Sequence, residues 1–233
     1  MVVRPVYLGG RGGQGYRMDY HRVNGVSRTP ARLLAVGGIV APLMWATAVV
    51  YCGAIVPGYS HSQQYISELA AQGSPAQRVM QVTGFVLPGV LIAAFGLSIG
   101  MRTRARLVGL GAACVTLSGL CRVAAGLLPC DAGCGRIAAS ASQHLHDIAG
   151  TIFVLAAIAA AALWVVIDAR APARSIWFVA LSLATVALAI GTTPLLIVSG
   201  LAKSGDVGTF QRVSLGALNL WMLVLALRQL RRA

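Results

Sequence analysis

Six long apolar stretches constrain this chain more than any other feature of its sequence. They are separated by short polar connections and cover residues 32–56, 79–100, 107–128, 148–167, 175–199 and 208–228. Each stretch has about the 20 residues that an α-helix needs to cross roughly 30 Å of hydrocarbon. Because a helix satisfies its own backbone hydrogen bonds inside a bilayer, the sequence predicts an all-α, polytopic membrane protein with a bundle of six transmembrane helices.

The composition agrees with a membrane protein and argues against a soluble one. Hydrophobic residues make up 57% of the chain and charged residues only 11%. A soluble domain has about a quarter of its residues charged. The net charge of +13 comes mainly from arginines that flank the apolar stretches, which favours membrane topology over nucleic-acid binding. We therefore expect a multi-pass protein of the cell membrane with no nucleic-acid partner.

The distribution of basic residues predicts the orientation. Fourteen of the 19 Arg and Lys residues lie before or at the start of the first stretch, in the second and fourth connections, or at and beyond the end of the last stretch. Because basic residues are enriched on the cytoplasmic side, both termini are expected to be cytoplasmic. We expect residues 1–31 to be a disordered basic tail, 32–228 to form one transmembrane domain and 229–233 to be a short basic tail. Either Met1 or Met18 fits as the true start.

The external connections hold most of the polar residues, including four of the six acids and three of the four histidines. In the first external connection, Gly73 is typical of a helix end and Ser74 with Pro75 is typical of a helix start. Residues 62–72 are therefore expected to form a short separate helix. Its apolar side would lie on the membrane surface or fold back over the bundle, with Glu68 near the helical mouth.

The second external connection carries two cysteines and a helix start. Cys130 and Cys134 flank an Asp-Ala-Gly turn on the oxidising side of the membrane, and this predicts a disulfide. Ser140 is the expected N-cap of the fourth helix. The first two turns of that helix then carry His144, His146 and Asp147. Residues two apart point to opposite sides of a helix, whereas residues three apart share a face.

Arg122 is the most informative single residue because it lies about 10 Å inside the external end of the third stretch. A guanidinium at that depth costs a few kcal/mol unless it finds a partner, so we expect it to face the bundle and to meet an acid or a ligand. The alternative is that it extends to the lipid headgroups. Arg212 is a second, shallower cation. The acids expected as partners are Glu68, Asp131, Asp147 and Asp206.

Several segments together resemble a known family. They are YSHSQQYISELAAQGSP after the first stretch, LPCDAGC after the third, the histidines that open the fourth, and FQR near the start of the sixth. Over about residues 32–228 the chain resembles the integral-membrane family called Domain of Unknown Function 998, which implies six helices and no particular reaction. The Ile-Ser segment followed by Pro is also similar to Frag1/DRAM/Sfk1-type membrane proteins, which implies lipid remodelling or trafficking.

The leading hypothesis is that the protein binds or remodels a lipid headgroup at the outer leaflet. Arginine suits this chemistry because its guanidinium recognises phosphate or carboxylate with two parallel hydrogen bonds. The residues expected to bind the ligand are Arg122, Arg212, Tyr59, His61, Ser67, Glu68 and Asp131. The candidates for proton transfer are Glu68, His144 and Asp147, and the sequence leaves open whether the protein is an enzyme.

Three alternatives also stay open. A metal-dependent membrane hydrolase would bind zinc through His61, His144 or His146, although the chain has no HExxH motif. No other cofactor is expected. A non-catalytic scaffold would be a small bundle whose loops dock a membrane-protein partner; Gly96 and Gly100 are spaced for close helix packing. A small-solute transporter would use the prolines that interrupt the helices.

Overall fold

Six long helices make up the fold. A computed structural model of the chain describes residues 28–135, 139–202 and 205–232, and all regular structure within these ranges is helical. The helices are α1 (Arg28–Ile55), α2 (Gln77–Met101), α3 (Arg106–Leu127), α4 (Ala141–Ala169), α5 (Ile176–Ala202) and α6 (Val207–Arg232). All six are long and apolar enough to cross a membrane. The prediction of an all-α, multi-pass membrane protein is confirmed.

Several helices extend beyond the predicted spans. Helix α1 already begins at Arg28, inside the predicted N-terminal tail, while residues 1–27 of that tail lie outside the described residues. Helix α6 includes most of the predicted C-terminal segment 229–233. Helix α4 starts directly after Ser140, as the predicted N-cap requires, and so is longer than its apolar stretch.

Helices that are adjacent in sequence pack side by side, and α1 closes the bundle by packing against both α2 and α6. Helices α2 and α3 approach each other at glycines. A Cβ atom on Gly89 would lie 2.7 Å from the carbonyl oxygen of Gly119, and one on Gly96 would lie 2.6 Å from the backbone nitrogen of Thr116. These glycines therefore allow close packing within the chain. Gly96 faces α3, so its close packing is within the bundle.

The two ends of the bundle differ. The capped end has the connections α1–α2, α3–α4 and α5–α6, and the basic end has the connections α2–α3 and α4–α5. A hydrophobic cluster that includes Trp164 and Trp221 fills the half of the bundle nearer the basic end. A second cluster, which includes Trp45, Cys52 and Met80, lies near the capped end.

Helix α2 is irregular near the capped end. Its segment Met80–Val86 is π-helical, and the buried Pro88 follows two residues later. A proline has no N–H group, and its ring pushes aside the carbonyl of the residue four positions earlier, which is Gly84. A π-helical turn is one of the usual ways in which a helix accommodates such a disturbance. The Gly84 carbonyl is thus left without the donor that a regular helix would provide.

Candidate functional site

A short 3-10 helix, Ile66–Ala70, covers the capped end, and we call it the cap helix. It is shorter than the helix predicted over residues 62–72. Ile66 and Leu69 are fully buried against the cluster that includes Trp45 and Met80. Of the two predicted placements, folding back over the bundle is therefore the one observed.

The FQR segment of α6 fastens this connection. The side-chain oxygen of Gln211 accepts a hydrogen bond of 2.6 Å from the backbone N–H of Ile66. Arg212 donates from Nη1 to the carbonyls of Gln64 and Gly208, both at 3.0 Å, and from Nη2 to the hydroxyl of Tyr59. The first and last hairpins of the bundle are thus joined at the capped end.

Glu68 lies half-buried in the cap helix and is used locally. Its carboxylate accepts hydrogen bonds from the backbone N–H of Tyr65 at 2.8 Å and from the side-chain amide of Gln64 at 2.9 Å. An acid in the first turn also complements the positive end of the helix dipole. These contacts give Glu68 a structural role in holding the start of the cap helix.

The disulfide of the α3–α4 connection packs onto the cap helix. Cys130 and Cys134 are bonded, with sulfur atoms 2.08 Å apart and Cα atoms 5.1 Å apart, so the predicted pairing is confirmed. The hydroxyl of Ser67 lies 3.4 Å from Sγ of Cys134. The carbonyl of Cys130 accepts a hydrogen bond of 2.9 Å from the N–H of Gln72. The first two connections of the capped end therefore form one unit.

Asp131 and the start of α4 also hold this unit together. The carboxylate of Asp131 accepts hydrogen bonds from the hydroxyl and the N–H of Ser140, at 2.6 and 2.8 Å, and the hydroxyl bond is the main reason that the pKa of Asp131 is lowered. Ser140 in turn accepts from the N–H of Gln143 at 3.1 Å, which confirms the predicted N-cap. The side chain of Gln143 binds the N–H of Asp131 and the carboxylate of Asp147. The side chain of Gln143 thus joins the start of the α3–α4 connection to α4. In a capping box it would instead bond the backbone N–H of Ser140.

The three histidines have different surroundings. His146 is 7% exposed, and its Nδ1 lies 2.9 Å from the carbonyls of both Ala125 and Leu128, so it binds the end of α3. His144 is exposed, so it and the buried His146 lie on opposite sides of α4, as the helical spacing predicts. His61 is exposed and rests on Gly53 of α1. Among the described residues, no group of three or more His, Cys, Asp or Glu side chains could hold a metal ion.

Arg122 is enclosed by four helices besides its own. It is 2% exposed and donates from Nε and Nη2 to the Gly84 carbonyl of α2, at 3.3 and 2.9 Å, and from Nη1 to Oδ1 of Asn219 on α6 at 3.2 Å. Its guanidinium also lies 5.8 Å from the ring centre of Trp45 on α1 and 5.4 Å from that of Phe153 on α4. The prediction that Arg122 faces the bundle is confirmed.

Of the two expected partners of Arg122, an acid or a ligand, the acid is wrong, because the hydrogen bonds of Arg122 to the described residues go to neutral oxygens. The principal acceptor is the Gly84 carbonyl that Pro88 leaves without a helical donor. The sequence features that could have indicated this contact are Pro88 in the second apolar stretch and Arg122 in the third. Hydrogen bonds to a charged donor are stronger than neutral ones, so an amide and a carbonyl can stabilise the guanidinium together with two aromatic rings.

The chain matches a family model over residues 39–228, a range that includes most of α1 and nearly all of the other five helices. That model is described as a protein of unknown function, DUF998. The chain belongs to the DUF998 family. No curated protein and no solved structure matches it. The further similarity to Frag1/DRAM/Sfk1-type proteins has no such support and stays a prediction.

The sequence interpretation missed an ion pair at the basic end of this DUF998 protein. Asp168 of α4, 3% exposed, accepts a hydrogen bond of 2.7 Å from Arg228 of α6 and one of 3.0 Å from the N–H of Ser175. The guanidinium of Arg228 lies 3.9 Å from the ring centre of Phe178. The signal was an acid at the end of one apolar stretch and a base at the same end of another.

Arg212 dominates the electrostatics of the capped end of this DUF998 protein. Burial raises the pKa of Tyr59, and the positive charge of Arg212 opposes that shift. Burial lowers the pKa of His61, and Arg212 lowers it further. The Nε atom of Arg212 is buried and has no hydrogen-bond partner among the described residues. Its other nitrogens bind a hydroxyl and two carbonyls, so the described residues provide no carboxylate for this cation.

Proposed function

We propose that this membrane protein lies in the cell membrane, with its capped end outside, and binds the headgroup of an anionic lipid of the outer leaflet at Arg212. The excess of basic residues around the opposite end supports the orientation. The disulfide supports it as well, because disulfides persist in oxidising compartments. Lys203 and Arg136, which also belong to the connections of the capped end, lie outside the described residues.

The observation that carries the proposal is the incomplete bonding of Arg212. A buried Nε–H without a partner is costly, and an anionic oxygen from a ligand would satisfy it. The guanidinium geometry suits phosphate, with Nε and one Nη able to bind two oxygens of the same group. His61 lies beside it and would contribute a further polar contact, whereas the Tyr59 hydroxyl is already used by Arg212 and by the carbonyl of Tyr65.

Arg122 has a different part in this proposal. It is enclosed among helices, so a headgroup could reach it only if the helices separated. We therefore assign lipid recognition to Arg212 and assign to Arg122 the packing of the helices beneath it. Glu68 holds the start of the cap helix beside Arg212, while Ser67 and Asp131 hold the α3–α4 connection that packs onto that helix.

The test is lipid retention by purified protein reconstituted in equal parts of phosphatidylglycerol and phosphatidylcholine. Native mass spectrometry would count the bound lipids after detergent extraction. The Arg212→Gln variant should lose phosphatidylglycerol selectivity at least about tenfold, which corresponds to about 1.4 kcal/mol and the weaker end of a hydrogen bond to a charged group. The control is Arg104→Gln, which removes an exposed charge at the basic end.

A second variant separates recognition from folding. Tyr59→Phe removes the hydroxyl that accepts from Arg212 but keeps the guanidinium, so phosphatidylglycerol should be retained. Hydrogen exchange in the cap helix would show whether each variant keeps the cap folded. Equal lipid retention by Arg212→Gln and wild type would refute the proposal, and so would equal losses in Arg212→Gln and Tyr59→Phe.

A further inference from the structure

A groove runs along the surface of the bundle between α1 and the start of α2. Its volume is about 440 Å³, and it lies apart from His61, which rests on Gly53 at another side of α1. The α1 residues that line it recur every three or four positions and so form one helical face. The lining residues are Val40, Leu43, Met44, Thr47, Ala48, Tyr51, Val79 and Thr83.

The groove offers little to a polar ligand. Its two threonine hydroxyls already donate to the backbone of their own helices, from Thr47 to the carbonyl of Leu43 at 3.0 Å and from Thr83 to that of Val79 at 2.7 Å. The remaining walls are aliphatic except for Tyr51. Water in such a groove would find few partners, since an ordered water needs about two to four polar contacts.

The length of the groove matches one leaflet of a bilayer. From Val40 to Tyr51 the helix rises about 16 Å at 1.5 Å per residue, which is about half of a 30 Å hydrocarbon core. The groove extends toward the capped end as far as Tyr51, which is 55% exposed and lies one helical turn before the end of α1 at Ile55. Arg78 is exposed directly before the lining residue Val79. A phenol and a guanidinium at this depth are typical of the level of lipid headgroups.

We propose that this groove holds one acyl chain of a phospholipid from the leaflet on the capped side, with the phosphate at Arg78. A groove that opens toward hydrocarbon is filled by whatever lies in the membrane, because an empty one forfeits dispersion contacts along its walls. A helix of a second copy is about 10–12 Å across with its side chains, whereas an extended acyl chain is narrow enough to enter between two packed helices. This inference stands independently of headgroup binding at Arg212.

The experiment uses nanodiscs of phosphatidylcholine that contain a small fraction of phosphatidylcholine with a photoactivatable diazirine on one acyl chain. Mass spectrometry would then map the labelled residues. Labelling of the groove should exceed that of lipid-facing Leu117 and Leu155 at least about threefold, which is about 0.6 kcal/mol and equals a few carbon–carbon contacts. Even labelling of all lipid-facing helices would overturn the proposal.

Three variants make the test specific. Thr47→Phe would fill the groove and should reduce its labelling to the level of Leu117, while Thr47→Val leaves the groove open and should label like wild type. Val50→Phe adds the same ring on an exposed position of α1 outside the groove and should have no effect. Groove labelling that survives Thr47→Phe would refute the binding of an acyl chain in the groove.

A further variant tests the contact between Arg78 and the phosphate. Arg78→Gln should lower groove labelling by the same probe, and unchanged labelling would remove the assignment of Arg78. Because Thr47 is exposed, its substitutions should leave the thermal stability of the protein unchanged. Thr47→Phe should also leave Arg212-dependent retention of phosphatidylglycerol unchanged, so failure of either proposal can be recognised separately.

Discussion

The bond between Arg122 and the Gly84 carbonyl gives a sharp prediction about stability. Arg122→Met keeps an unbranched side chain but leaves Gly84 and Asn219 without a buried donor. Interhelical hydrogen bonds in membrane proteins contribute about 0.6 kcal/mol on average and up to about 1.7 kcal/mol. With the loss of two cation–π contacts, we expect the free energy of unfolding to fall by about 2 kcal/mol.

The change in unfolding free energy of Arg122→Met also contains a gain, because the variant no longer buries a positive charge. A double-mutant cycle with Pro88→Ala separates this gain from the loss of the hydrogen bond. Alanine at position 88 restores the N–H that a regular helix directs at the Gly84 carbonyl. In that background Arg122→Met should cost about 1 kcal/mol less, because the carbonyl keeps a donor. Relief from burying the charge is equal in both backgrounds and cancels.

The assay is reversible unfolding in mixtures of a mild detergent and sodium dodecyl sulfate, followed by tryptophan fluorescence. The control cycle pairs Arg122→Met with Pro194→Ala, since Pro194 lies inside α5, whose described residues provide none of the bonding or aromatic contacts of Arg122. Distant sites add within about 0.5 kcal/mol. If the effects of Arg122→Met and Pro88→Ala on the unfolding free energy are also additive, the Gly84 carbonyl does not depend on Arg122 as its hydrogen-bond donor.

Three further predictions concern the two ends of the bundle. Asp168→Asn leaves the charge of Arg228 unpaired, so the free energy of unfolding should fall by about 3 kcal/mol in the same assay. The lowered pKa of His61 means that the unfolded chain takes up this proton first, so stability should decrease as the pH falls through about 6.5, and His61→Gln should make that decrease shallower. Replacing Cys130 and Cys134 together by serine should make the cap helix open more easily in hydrogen exchange, by roughly 2 kcal/mol for so short a loop.

Each of these predictions has a control and a contrary result. For Asp168, the control is Arg231→Gln at an exposed position, and a loss below about 1 kcal/mol in Asp168→Asn would contradict the importance of the pair. For His61, an identical pH dependence in wild type and variant would show that its proton is not linked to folding. For the cysteines, unchanged exchange in the cap helix would show that the disulfide does not restrain it.

Features within a few residues of each other were predictable from the sequence. The N-cap at Ser140 and the Cys130–Cys134 pair follow from local spacing, and both are present. Gly73 has a positive φ of +80°, but it lies in the turn beyond the cap helix, whose C-cap is Ala71, so its predicted place at the helix end is wrong. The opposite exposure of His144 and His146 follows from helical geometry. At Ser140 and in the disulfide, the chain itself holds the partners close together.

Features that join distant segments were decided by the tertiary structure. Ile66 binds Gln211, Asp168 binds Arg228, and Arg122 binds a carbonyl of another helix, and none of these distant pairings follows from spacing along the chain. They depend on how each helix is rotated about its axis and on which neighbour it contacts. A comparison of side-chain types along the sequence does not consider backbone carbonyls as partners. For that reason an acid was expected beside Arg122.

The sequence by itself determined the six helices, because hydrocarbon leaves each apolar segment no alternative but to satisfy its backbone internally. It also determined that cations lie mostly at one end of these helices. Only the tertiary structure decided which polar groups meet inside the bundle. The reason is that the hydrophobic effect does not distinguish one apolar helix face from another in lipid, so small residues, a displaced carbonyl and a few hydrogen bonds select the packing.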